Sequence, residues 1–131
     1  MAASLLAVVV DCHDPFKQAQ FWATALSCGV VERNADEFAL IDERGKSRTL
    51  YFVKVPEPKI TKNRVHVDLL TDGSMHAEVA RLVAAGAHVI DVRQDPDSLA
   101  NPDMWTVLQD PEGNEFCVTS SATLTGWATS G

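Results

Sequence analysis

Four side chains in the second half of the chain have types and spacing suited to chemistry. His66 and Asp68 stand in NRVHVDL (63–69), and Glu115 and Cys117 stand in DPEGNEFCV (110–118). If both stretches are strands, alternation places His66 with Asp68 on one face, and Glu115 with Cys117 on one face. An imidazole beside a carboxylate can move a proton to or from a substrate, with His66 as base or acid and Glu115 or Asp68 as its partner. The same groups offer nitrogen, oxygen and sulfur donors to a divalent ion, with His66, Cys117 and Glu115 as weak metal candidates. His66 and Cys117 alone hold an ion poorly unless Glu115 or Asp68 swings in, because a catalytic zinc site takes three protein ligands. Each residue also has a plainer role. His66 suits a half-buried histidine bonded to a neighbour, Cys117 a small core residue, and the two acids solvated strand ends. No helix start or basic neighbour in the sequence favours a thiolate at Cys117.

These groups need elements to hold them. Asp110, Pro111, Glu112 and Gly113 spell a tight turn: proline fixes φ, glycine supplies a positive φ, and aspartate can bond its own backbone. The strand after it runs over about 114–119. Upstream, Leu5 to Asp11 reads as a strand, and Asp14 followed by Pro15 reads as a helix N-cap and first turn. The helix extends to about Ser27, with Ala19, Trp22, Ala23 and Leu26 on one apolar stripe. Strands are expected over 29–32, 38–42 and 49–55, with turns at 34–36 and 43–45. The second half repeats this plan. A strand spans 64–70, and Asp72, Gly73 and Ser74 open a helix carrying Val79, Leu82 and Val83. Gly86 caps that helix in a left-handed conformation, and strands follow near 88–93 and 105–109. Laying Val10 and Asp11 on Val67 and Asp68 also lays Gly29 on Gly86, so the order β-α-β-β-β occurs twice. In this repeat Asp11 is the partner of Asp68, and two carboxylates brought close would push one pKa up.

The boundaries follow: module one over about 4–55, a Pro- and Lys-bearing linker over 56–63, module two over about 64–119, and a tail over 120–131 anchored by Trp127. The long loop 95–103 is expected at a pocket rim. At 131 residues the chain suits one domain that buries roughly two-thirds of its unfolded surface without covalent staples. A net charge of −7 argues against nucleic acid or an anionic membrane surface as partner. Residues 2–10 are apolar but lack a basic start and a small-residue cleavage site, so they read as a buried strand and not a signal peptide. Three cysteines in no paired or metal-finger spacing favour a reducing, cytoplasmic location.

FWATAL (21–26), PEPK (56–59), KNRVHVDL (62–69) and DPEGNEFCV occur in one order along the chain. In these motifs, over about residues 5–118, the chain resembles the bacterial glyoxalase-like subgroup of the glyoxalase, bleomycin-resistance and extradiol-dioxygenase (vicinal oxygen chelate) superfamily. Ser27 replaces that subgroup's usual glycine. The resemblance implies an α+β fold of two tandem βαβββ modules forming a curled mixed β-sheet cup with helices outside. In metal-dependent members, ligands lie on the first and fourth strands of both modules. Carried over one by one, those positions fall on His66, on Cys117 in place of a glutamate, on apolar Ala7 or Val9, and on Val53. The resemblance therefore implies no tightly bound metal, at most a weakly held divalent ion, and no other cofactor.

The expected function is binding of a small aromatic or cationic molecule in the cup, as in the bleomycin-resistance branch. Tyr51, Val53, Met104, Trp105 and Cys117 would line it, with His66, Asp68 and Glu115 as its polar groups. The alternatives are a lyase, isomerase or hydratase using His66 with Glu115 or Asp68, a metal-dependent glyoxalase or dioxygenase, and a protein whose cup is filled by its own side chains. A homodimer is expected by resemblance alone.

Overall fold

A computed structural model of the chain describes residues 1–42, 47–94 and 103–120. The elements are β1 (Val8–Cys12), α1 (Pro15–Leu26), β2 (Gly29–Asn34), β3 (Glu37–Ile41), β4 (Ser47–Lys54), β5 (Val67–Thr71), α2 (Met75–Ala85), β6 (His88–Gln94), β7 (Asp103–Gln109) and β8 (Glu115–Ser120). They divide between two compact units, Met1–Lys59 and Ile60–Gly131. Each unit is one βαβββ module. The sheet orders are β1-β4-β3-β2 and β5-β8-β7-β6, so the fold is α+β with the same topology twice. In each sheet the first strand runs parallel to the fourth, and the remaining pairs are antiparallel.

In the first unit the helix begins where the sequence puts its cap. The Asp14 carboxylate accepts from the Lys17 amide at 3.1 Å, and Pro15 opens α1. Ala19, Trp22 and Ala23 are buried as the stripe requires, Leu26 is half-buried, and Phe21 adds an edge-on contact with Trp22. The helix packs across β3 and β4, against the face carrying Phe38, Leu40 and Phe52. Ser27 ends it in the left-handed region (φ 51°), with its amide turned back to the last carbonyls. A glycine would hold that conformation without a Cβ penalty.

In the second unit Ser74 caps α2 by accepting from the Ala77 amide at 3.2 Å, and Gly86 ends it at φ 125°. That φ lies beyond the left-handed helical value but is still one that glycine adopts freely. Leu82 and Met75 are buried over the face of Leu108, Phe116 and Val118. Val83, expected in the apolar stripe, is 44% exposed. Leu82 points at the sheet, and the 100° rotation per residue carries Val83 off that line.

The largest shifts at strand starts are in β1 and β5. β1 begins at Val8, leaving Leu5 and Leu6 exposed, and β5 begins at Val67, so His66 directly precedes the strand. The reason is the ladder: β1 pairs β4 from Val8 with Leu50, and β5 pairs β8 from Val67 with Phe116. Of the expected loop 95–103, Asp103 opens β7; residues 95–102, the turn 43–45 and the tail around Trp127 lie outside the described residues.

Candidate functional site

The turn before β8 is built as its sequence reads. Asp110 is buried, and its carboxylate Oδ1 accepts from the amides of Glu112 and Asn114, both at 3.0 Å, and from the Asn114 side chain. Gly113 takes φ 90° and donates to the Asp110 carbonyl at 2.9 Å. Those three bonds, a fourth from Asn114 Nδ2 to Asp110 Oδ2 at 3.0 Å, and a closed backbone turn fix the direction in which β8 leaves. The segment leading into β5 is tied to the same place: the Asn63 amide donates to the Glu115 carboxylate at 3.0 Å, and the Asn63 side chain donates to Asn114 Oδ1 at 2.8 Å. Glu115, a sequence candidate for acid–base or metal work, thus anchors the chain that delivers His66.

β5 and β8 then run parallel with Asp68 beside Cys117, and Cys117 lies beside Val107 of β7, which lies beside Asp91 of β6. This row crosses the sheet on the face away from α2, since the alternate residues Phe116, Val118 and Leu108 form the core. Trp105 is two residues from Val107 and shares its face, with Arg93 as its β6 neighbour. Arg93 pairs with Asp91 at 3.1 Å.

At one end of the row His66 Nε2 stands 3.4 Å from Asp68 Oδ1, with the side chains 43% and 67% exposed. One ligand atom each from His66, Asp68 and Cys117 lie within 4.8 Å of one another. The Cys117 thiol has its pKa raised, first by burial and then by the Asp68 carboxylate, through its charge and its hydrogen bond with the thiol; Lys62 and Arg93 pull weakly the other way. The resting thiol is a proton-bearing donor to Asp68, not a ready nucleophile. Asp68 faces both the imidazole and the thiol, which is not the order of a nucleophilic triad, where the histidine stands in the middle.

A glyoxalase-like domain model matches residues 7–119. The chain belongs to the glyoxalase-like domain family. Among solved structures, a glyoxalase/bleomycin resistance protein/dioxygenase family enzyme from Burkholderia phytofirmans PsJN superposes with a TM-score of 0.67 at 19% identity, covering 90% of this chain and 98% of that one. A glyoxalase-related enzyme from Fulvimarina pelagi gives 0.63 at 15% identity, covering 92% and 90%. The fosfomycin resistance protein FosX from Listeria monocytogenes gives 0.66 at 11% identity, covering 92% and 95%. At these identities the likeness establishes the fold. No curated protein matches the sequence.

Within this glyoxalase-like frame, the four-ligand set expected of metal-dependent members does not fit the chain. The first-module positions, Val9 or Ala7 and Val53, carry only hydrocarbon. A three-donor set does fit, and all of it lies in the second unit. The sequence named His66, Cys117 and Glu115, with Asp68 as the alternative acid; the fold brings Asp68 to His66 and Cys117, and Glu115 instead accepts from the Asn63 amide. That placement depends on the β5–β8 pairing, which joins residues far apart in the chain.

The remaining sequence candidates sit as follows. Tyr51 is buried on β4 of the first unit with the Arg33 guanidinium 5.2 Å from its ring centre, and Val53 is half-buried two residues on. Trp105 is half-buried on β7, and the Met104 side chain lies outside the described part. Sequence reading missed a cleft of about 320 Å³ in the first unit, lined by His13, Phe16, Asp36, Phe38 and Lys54 among others. Its one legible signal was the His13-Asp14-Pro15 break that ends β1.

Proposed function

We propose that this glyoxalase-like chain binds a small organic molecule, aromatic or cationic, on the sheet face of the second unit that carries Trp105, Val107, Cys117 and Asp68. The observation that supports this reading is the row itself. A half-buried aromatic and an aliphatic side chain stand next to a small set of convergent polar groups, the composition of a small-molecule site. Trp105 supplies a ring for stacking or for a cation, and Asp68, two-thirds exposed, supplies a counter-charge.

Thermal-shift and calorimetric titration with a panel of aromatic amines, quaternary ammonium compounds and neutral aromatics tests the reading. A binder among these is expected, with its affinity reduced by Trp105→Ala. Asp68→Asn is expected to reduce affinity for the cationic members only. A panel without a binder, or binding unchanged in both variants, overturns it.

The His66–Asp68 contact favours a second reading, acid–base catalysis of the lyase, isomerase or hydratase kind on the same bound molecule. There His66 takes or gives the proton at Nδ1 or Nε2, and Asp68, 3.4 Å from Nε2, orients the ring. His66→Ala would then retain binding and lose turnover by about a hundredfold or more, the usual worth of a positioned acid or base.

A further inference from the structure

We propose that His66, Asp68 and Cys117 form a binding site for one zinc-like divalent ion, complete within the sheet of the second unit. This goes beyond the organic-ligand reading, with which it shares Asp68 and Cys117, and its test uses the metal alone.

Zinc bonds of about 2.0 Å to nitrogen and oxygen and 2.3 Å to sulfur put neighbouring tetrahedral ligands roughly 3.3–3.7 Å apart. His66 and Asp68 already stand at 3.4 Å, and all three donor atoms fall within 4.8 Å. The donors stand somewhat wider apart than bonded ligands, and we assign that closure to side-chain rotation. Asp68 and Cys117 are register neighbours in the β5–β8 ladder, and Asn63, held by Glu115 and Asn114, fixes the segment just before His66.

The donor types select the ion. A thiolate with an imidazole and one carboxylate suits zinc or cobalt and is a poor match for magnesium or calcium, which require oxygen ligands. Three protein ligands leave one tetrahedral position, and the exposure of His66 and Asp68 gives a fourth ligand access to it. This set differs from one shared by two modules: Asp68 takes part, and all three donors lie in the second unit.

The test is titration of the metal-stripped, full-length chain with Co²⁺, followed by absorbance. One equivalent should produce tetrahedral d–d bands and a thiolate-to-cobalt charge-transfer band, and Zn²⁺ should abolish both. Mg²⁺ at a hundredfold excess should leave them unchanged. Cys117→Ser should remove the charge-transfer band while Cys28→Ser retains it. Asp68→Asn and His66→Gln, both on exposed positions, should each weaken cobalt binding at least about tenfold, the lower range seen even for lost outer partners of a metal site. Circular dichroism confirms that each variant is folded, and a Cys117 variant that fails to fold leaves the other two to decide. Sub-stoichiometric binding, a charge-transfer band that survives Cys117→Ser, or unchanged affinity in Asp68→Asn and His66→Gln overturns the proposal. None of these readouts depends on the organic molecule.

Discussion

Single residues carry consequences that do not depend on identifying a ligand. Ser27 holds a left-handed φ of 51° at the end of α1, where a Cβ is unfavourable. Ser27→Gly is expected to raise stability by about 0.5–1 kcal/mol in urea unfolding, the relief of strain exceeding the added chain entropy of glycine. The strain was half legible: the family motif marks a glycine here, but only the structure gives the backbone angle. At Cys117 the sequence offered a thiol without a basic neighbour, and the fold adds a carboxylate. Its pKa is raised by burial first and Asp68 second, so the thiolate forms at a higher pH than in a free cysteine. Alkylation of Cys117, followed by mass spectrometry from pH 7 to 10, should therefore lag behind that of the unfolded chain. Asp68→Asn removes an anion that opposes ionisation, so its alkylation curve should move to lower pH. A curve that moves up or stays put refutes the assignment.

At the level of elements, caps and turns were the most legible features because their chemistry is local. Asp14, Ser74, Gly86 and the Asp110–Gly113 turn all act within four residues of themselves, and the structure shows each in its expected place. Strand limits were less legible. β1 and β5 start where a partner strand begins to pair, and no local signal at Leu5 or Arg64 encodes that. Helix faces fall between these cases. Leu82 is fully buried and Val83 is 44% exposed, although both are aliphatic and adjacent. Leu82→Ala is expected to cost about 2–5 kcal/mol by leaving a cavity beneath α2, and Val83→Ala less than about 1 kcal/mol. Denaturant melts of the two variants measure the difference, and equal losses would mean that the α2 orientation is wrong.

For the whole molecule, charge is the property that composition sets directly. A net charge of −7 produces a field that favours cations, and salt screens it. Raising ionic strength from 0.01 to 0.15 M shortens the Debye length from about 30 to 8 Å. Affinity for a cationic ligand should fall several-fold over that range, while affinity for a neutral aromatic should hold, as calorimetry at two salt concentrations would show. The sequence by itself determined the class of the fold, the repeat of two βαβββ modules and the identity of the family, because these rest on local periodicity, caps and four ordered motifs. It also marked His66 and Cys117 as chemically capable. Only the tertiary structure decided which acid joins them. Glu115 and Asp68 were equal candidates by alternation, and the parallel β5–β8 register sets Asp68 beside Cys117 while Glu115 is taken up by Asn63. Register between strands is fixed by burying Phe116, Val118 and Leu108 under α2, a long-range packing requirement that no short stretch of sequence contains.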